Sequence, residues 1–218
     1  MARKLKKDEV IDGRLAYWYA KNTKADMDEY KKFAKKVAEN IRESDRVLEV
    51  APGPGYTVIE LAKLGNYSIT GMDLSFVFTE IGEKNARQAG VNVTFRQGNV
   101  SSMPFENESF DFILNRAAFK NFLDPVAALK EMCRVLKKDG KVLIDDFNPN
   151  ATYKEIKNYV NNMRLNWFDK LVNKLIFNFG LRKTAHSKEE FENFIAQTDF
   201  KSYKIIESPL SYDIWLYK

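Results

Sequence analysis

Short apolar runs alternate with amphipathic stretches along most of this chain. Arg46-Val47-Leu48-Glu49-Val50 is apolar and β-branched and stops at a Pro/Gly loop, which predicts a short buried strand. Runs of the same character at 67–73, 92–97, 110–114 and 141–145 predict four more. Between them, 58–64, 76–89 and 125–136 carry helical periodicity. In the last of these, Val126, Leu129, Met132, Cys133 and Leu136 share one face. Strands alternating with helices of this length imply parallel β-α-β units and a sheet covered on both sides.

The end of the chain breaks that rhythm. Ser187 followed three residues later by Glu190 is a capping box that opens a helix. Two strands follow, at 201–207 and 212–217, separated only by Ser208-Pro209-Leu210-Ser211. That gap cannot hold a crossover helix, so the pair must be an antiparallel hairpin. The expected fold is therefore α/β: a Rossmann-like, doubly wound sheet of seven strands, mostly parallel with a C-terminal antiparallel hairpin, in three α/β/α layers.

Two segments lie outside the repeat. The first holds two helical stretches with Tyr17, Trp18, Tyr19, Tyr30 and Phe33. In the second, Ile156, Val160, Met163, Trp167, Leu171 and Leu175 step by three or four, which predicts a continuous amphipathic stripe of about five turns. Both would flank the carboxyl ends of the strands, where open α/β sheets bind ligands. The expected organisation is one domain over 1–218. It comprises a helical cap (1–44), a ligand-binding core (45–147), a helical cover over the substrate (148–186), and the last helix with its hairpin (187–218).

Composition narrows the class. The chain has 218 residues, 44% apolar and 30% charged, the balance of a folded globular protein. No apolar run approaches the ~20 residues of a membrane-spanning helix. The basic start, Met1 to Asp8, has no apolar segment behind it and so does not read as a secretory signal. One Cys and one His can build neither an internal disulfide nor a zinc site. A cytoplasmic, metal-independent protein, monomeric or homodimeric, is expected.

The net charge is only +5, but it is unevenly placed. Residues 1–40 carry 11 Lys/Arg against 7 Asp/Glu, and residues 150–186 carry 7 against 2. Basic segments beside the expected pocket suit an anionic or electron-rich substrate. They also leave nucleic acid open as a less favoured partner.

The most informative stretch is Val47-Leu48-Glu49-Val50-Ala51-Pro52-Gly53-Pro54-Gly55. A glycine turn from strand to helix lets a ligand approach the backbone. A nicotinamide-type loop needs a small residue three places after the second glycine, and Val58 stands there instead. Acids occur before the glycines, at Glu49, and at the end of the second strand, at Asp73. A carboxylate at that strand end accepts both hydroxyls of a ribose, which suits adenosine without a phosphate.

Five segments in order make the chain resemble the class I S-adenosylmethionine-dependent methyltransferases, and within them the type 11 methyltransferase-domain group that includes quinone C-methylases. They are residues 47–55, Gly71-Met72-Asp73-Leu74-Ser75, Gly98-Asn99-Val100 with Met103-Pro104-Phe105, Ser109 to Ile113, and Glu131 to Gly140.

The resemblance implies the cofactor S-adenosylmethionine, with S-adenosylhomocysteine as product. It implies that Glu49 and the backbone at Ala51, Gly53 and Gly55 hold the methionine part. Asp73 would take the ribose hydroxyls, Leu74 would lie beside the adenine, and Asn99 and Val100 would meet the adenine edge and face. Asn115 and Arg116 would lie near the sulfonium and methyl. Ala51 stands where glycine is usual, and Asn99 where an acid is usual.

Methyl transfer from an activated donor needs mainly alignment and a dry pocket, so no dedicated catalytic group is required. Weak candidates for a direct role are Tyr19, Lys120 and His186. Each has a plainer reading: Tyr17 and Tyr19 as packing, Lys120 as a solvated or salt-bridged side chain, His186 as a surface-loop residue. Cys133, on the apolar face of its helix, reads as core. A metal site of the catechol kind would need acids ending the fourth and fifth strands; Asp145 and Asp146 supply only half. The expected activity is methyl transfer to a small molecule. The alternatives are an RNA or protein methyltransferase, or a catalytically silent cofactor-binding regulator.

Overall fold

A computed structural model describes residues 11, 13–163 and 165–218. The basic start at 1–8 lies outside the described residues.

Seven strands form one sheet in the order β3-β2-β1-β4-β5-β7-β6. They are β1 (Arg46–Val50), β2 (Ser68–Asp73), β3 (Thr94–Gln97), β4 (Phe110–Arg116), β5 (Leu136–Phe147), β6 (Ser202–Glu207) and β7 (Ser211–Tyr217). β1 pairs in parallel with β2 on one side and β4 on the other, so strand order reverses beside β1. That reversal opens a crevice at the carboxyl ends of the strands. β7 runs antiparallel to both β5 and β6, and for β6 the short Ser208–Leu210 connection requires it.

The helices are α1 (Gly13–Thr23), α2 (Met27–Ala38), α3 (Tyr56–Ala62), α4 (Phe76–Ala89), α5 (Pro125–Val135), α6 (Tyr153–Asn162), α7 (Trp167–Leu175), a π-helical segment (Ile176–Leu181), α8 (Arg182–Thr184) and α9 (Lys188–Ile195). The period-2 alternation of the strands divides the core. Leu48, Ile113 and Ile144 pack on one face with Leu129, Met132 and Phe191. Their neighbours Val47, Phe112 and Leu143 pack on the other with Phe33, Val37, Val58 and Leu61. Cys133 is buried on the inner side of α5. α2 therefore belongs to the helical layer itself, through Phe33, Ala34 and Val37.

Two boundaries differ from the periodicity. β5 begins at Leu136 rather than at 141. Phe110 pairs with Leu136 and Phe112 with Lys141, so a register shift absorbs the intervening Lys-Lys-Asp-Gly segment. The expected continuous stripe of 156–175 is two helices. The chain turns extended at Met163, and Asn166 accepts from the Asp169 amide to cap α7. A side-chain cap inside an otherwise helical period restarts the helix along a new axis. Both capping boxes of this region, Thr152 with Glu155 and Ser187 with Glu190, form reciprocally.

Candidate functional site

Between β1 and α3 the backbone enters the left-handed region three times, at Ala51 (φ 55°), Gly53 (φ 55°) and Gly55 (φ 77°). The two glycines differ in what surrounds them. A Cβ on Gly55 would lie 2.6 Å from Phe95 Cζ, so that glycine is required by packing. A Cβ on Gly53 would meet only Tyr19 Cε1, at 4.0 Å, so the space over that residue is open. Ala51 holds its unfavourable conformation while its N–H donates to the Met72 carbonyl at 2.8 Å.

Asp73, at the end of β2, ties the loop down. Its Oδ2 accepts from the Gly53 N–H at 3.0 Å and its Oδ1 from the Ser75 N–H at 2.9 Å. Burial raises its pKa above the usual carboxylate value, against the pull of these backbone donors. A cavity of about 280 Å³ opens beside it, lined by Ala51, Met72, Leu74, Asn99, Val100 and Phe122 among others. Four of the residues expected at a cofactor thus share one wall. Asn99 departs in detail: its Oδ1 accepts from the Ser101 N–H at 2.8 Å, folding the amide oxygen into a local turn.

Three polar side chains at the carboxyl ends of β1 and β4 carry unused hydrogen-bonding capacity. Glu49 is 2% exposed. Burial pushes its pKa up to about 8, opposed by the Arg116 charge, the Thr57 hydroxyl and the Val58 N–H. Its Oε2 has no hydrogen-bond partner. Asn115 is fully buried; its Nδ2 donates to the Val50 carbonyl at 2.7 Å, while Oδ1 accepts nothing. The Arg116 guanidinium stacks over Tyr30 at 4.5 Å and Phe33 at 5.3 Å, and its buried Nη1 donates to no acceptor. Buried polar atoms normally find partners, so three orphans in one region mark a place built for something else.

The weak candidates divide. Tyr19 is half-buried, edge-on to Phe78, and its hydroxyl pKa is raised by burial within the fields of Arg116, Asp73 and Asp146. Tyr17 is exposed. Lys120 is salt-bridged but not solvated. Its Nζ lies 3.0 Å from Asp146 Oδ1 and donates to the Ala117 carbonyl, and its side chain is 4% exposed. Asp146 also accepts from the Lys120 and Phe147 amides, which occupies the acid that a metal site would have used. Among the described residues no group of three or more His, Cys, Asp or Glu could hold a metal ion. His186 is not the surface-loop residue its sequence position suggests. Its ring packs against Phe119, Phe191 and Phe194, with centroids 5.0–6.0 Å away, and its Nδ1 lies 3.8 Å from Glu190 Oε2.

The pairing of Tyr159 with Asp26 carried no sequence signal. Tyr159 on α6 donates to Asp26 Oδ2 at 2.9 Å, joining the covering segment to the turn between α1 and α2. Burial raises the pKa of both groups. Burial raises the pKa of Asp145, near the end of β5; the nearby Asp213 adds to the rise, and Arg116 and Lys36 oppose it. Tyr30, under Arg116, belongs to the same wall.

The family model for a methyltransferase domain of the type 11 group matches residues 48–144. An uncharacterised methyltransferase of Bacillus subtilis, YcgJ, is 36% identical over 126 residues, covering 56% of this chain and 49% of that protein. The ubiquinone/menaquinone biosynthesis C-methyltransferase UbiE of Bdellovibrio bacteriovorus is 36% identical over 104 residues, covering 47% and 44%. The chain thus spans about half the length of the curated relatives it matches. A protein of Methanococcus maripaludis, described as an S-adenosylmethionine-dependent methyltransferase, superposes with a TM-score of 0.76 at 25% identity, over 100% of this chain and 97% of that one.

Proposed function

We propose that this chain is a class I S-adenosylmethionine-dependent methyltransferase that moves a methyl group from that cofactor to a small, anionic or electron-rich organic acceptor. The observation that carries this reading is the open space over Gly53 beside the buried carboxylate of Asp73.

The residues present fit the cofactor. Asp73 keeps lone pairs for ribose hydroxyls while its backbone donors fix the carboxyl plane. The orphaned Oε2 of Glu49 suits the ammonium of the methionine part, which would satisfy it and favour its ionised form. Leu74, Asn99 and Val100 line the cavity where adenine would lie. The bound cofactor supplies a methyl carbon already activated on a sulfonium sulfur, open to in-line attack.

The chain's own contribution is then to orient and to exclude water. Tyr19 closes one side of the glycine loop, and the Asp26–Tyr159 bond holds the cap and the covering helix together. A dry, preorganised pocket favours attack by an anion, because charge is lost along that path. The unpartnered Nη1 of Arg116 supports an anionic acceptor such as an enolate, phenolate or carboxylate, which it would hold by a charge-assisted hydrogen bond. The name of UbiE, a C-methyltransferase of quinone biosynthesis, adds support for a small-molecule acceptor. Release of S-adenosylhomocysteine across a panel of phenolic and enolic acids tests the proposal. Arg116→Met should lower kcat/KM for the accepted acid about 10–150-fold, the value of a lost charge-assisted hydrogen bond. No release with any acceptor, or an unaffected Arg116→Met enzyme, would count against it.

A further inference from the structure

The amphipathicity of α7 and the π-helical segment after it is inverted. Trp167, Phe168, Leu171, Leu175 and Phe179 are 78%, 57%, 50%, 52% and 73% exposed. At helical spacing these five side chains fall within roughly a third of the circumference. The inward side is the more polar one: Asn173 is buried, with its Nδ2 donating to the Asp169 carbonyl at 2.8 Å. Phe177 is the inward apolar anchor, with its ring 5.7 Å from Phe147 and 5.6 Å from Tyr159. Scattered exposed apolar residues are ordinary, but a contiguous aromatic and aliphatic face turned outward from a packed helix is not.

The charges beside this face indicate what covers it. Lys170 and Lys174 lie along one border of the apolar sector, and the segment 150–186 holds 7 Lys/Arg against 2 Asp/Glu. Lys170 also donates to the Asn161 carbonyl at 2.7 Å, which fixes α7 against α6. A Trp-, Phe- and Leu-bearing helix face edged with lysines matches the requirements of an interfacial helix. Its apolar side chains enter the acyl boundary while its ammonium groups meet anionic headgroups.

We infer that the outward face of residues 167–179 docks the protein onto an anionic lipid bilayer, lying in the plane of the surface. Among the described residues no helix is long and apolar enough to cross a membrane, so the attachment is peripheral. The same element touches Phe147 at the end of β5 and Tyr159, the partner of Asp26, so docking would bring the lipid surface to elements that adjoin the carboxyl end of β5. The docking stands independently of the methyl-transfer reading. If both hold, the acceptor is one that partitions into lipid.

Sedimentation of the full chain with vesicles of phosphatidylcholine, with and without phosphatidylglycerol, tests the inference. The protein should sediment with the phosphatidylglycerol vesicles and be released as salt rises. In a Trp18→Phe background, Trp167 emission should shift to the blue on binding, since Trp215 is already buried. The pair Trp167→Ser and Phe179→Ser should weaken binding at least about tenfold. The pair Lys170→Glu and Lys174→Glu should abolish the preference for the anionic lipid. The thermal midpoint should stay close to that of the parent in the Trp/Phe pair, which removes only exposed side chains. No sedimentation at low salt, or binding unmoved by the Trp/Phe pair, would overturn the proposal. So would a concentration-dependent dimer that the Trp/Phe pair converts to monomer, because a second copy would then be the occupant.

Discussion

Glu49 concentrates the cost of burying polar groups at the candidate site. A carboxyl with an ordinary pKa near 4.5 is held at about 8 by burial, so the folded protein keeps a proton that the unfolded chain has released. Between these values the folded state binds more protons, and stability therefore falls as pH rises from about 4.5 to about 8. Glu49→Gln should remove that pH dependence and stabilise the cofactor-free protein at pH 8 on the order of 3 kcal/mol, while changing little at pH 4.5. The same substitution should weaken S-adenosylmethionine binding by about tenfold or more, since the ammonium loses its counter-charge. Thermal melts at the two pH values and a titration check both halves.

The turn at Gly53 and its neighbour Asp73 were legible in the sequence because the motif occupies a few contiguous positions, whereas the packing of Gly55 against Phe95 was not. Asp26 with Tyr159 was not, since 133 positions separate the pair and only the packed fold joins them. His186 was misjudged because its aromatic cage comes from three residues on two other elements.

At the scale of elements, the strand–loop–helix unit shows how one turn serves packing and binding with different glycines. Gly55→Ala should destabilise the protein by about 1–3 kcal/mol, because its Cβ would overlap the Phe95 ring at a left-handed φ. Gly53→Ala should cost less, about 1 kcal/mol of backbone strain, yet reduce cofactor affinity more strongly, because the added methyl projects into the open space. Opposite rankings in thermal midpoint and in calorimetric affinity would establish the division. Helices α4 and α5 and the hairpin followed directly from periodicity and spacing. The split of the covering stripe did not, because apolar spacing continues through the Asn166 cap and only the backbone turn at Met163 interrupts it. The early start of β5 was hidden for a similar reason: Lys-Lys-Asp-Gly carries a turn composition, and the register shift beside Phe110 lets it stay within the strand.

For the whole molecule, the order of strands places Glu49, Asp73, Asn115 and Arg116 at the carboxyl ends of neighbouring strands, and the segments around Asp26 and Tyr159 meet each other. Among the described residues, a half-buried hydrogen bond between distant parts of the chain, from Tyr159 to Asp26, joins them. Tyr159→Phe would leave the half-buried Asp26 carboxyl without this donor and should lower stability by about 1 kcal/mol. Amide exchange should rise in α1 and α6 while the central strands stay protected, because the loss is confined to the closure. The doubly wound sheet and its antiparallel finish were foreseeable from alternation and connection length. That two helical segments would flank the carboxyl ends of the strands was an expectation from the sequence; the pairing of Asp26 with Tyr159 was not, because it depends on where the sheet sets the two segments.

The central claim, that the loop at Gly53 and the carboxylate of Asp73 hold a sulfur-bearing nucleoside, is tested most directly by calorimetric titration with S-adenosylhomocysteine. The wild-type chain should bind one equivalent, and Asp73→Ala should weaken that binding by about 1–3 kcal/mol, roughly 5- to 150-fold. Absence of binding to the wild type, or equal affinity in the two proteins, would contradict it.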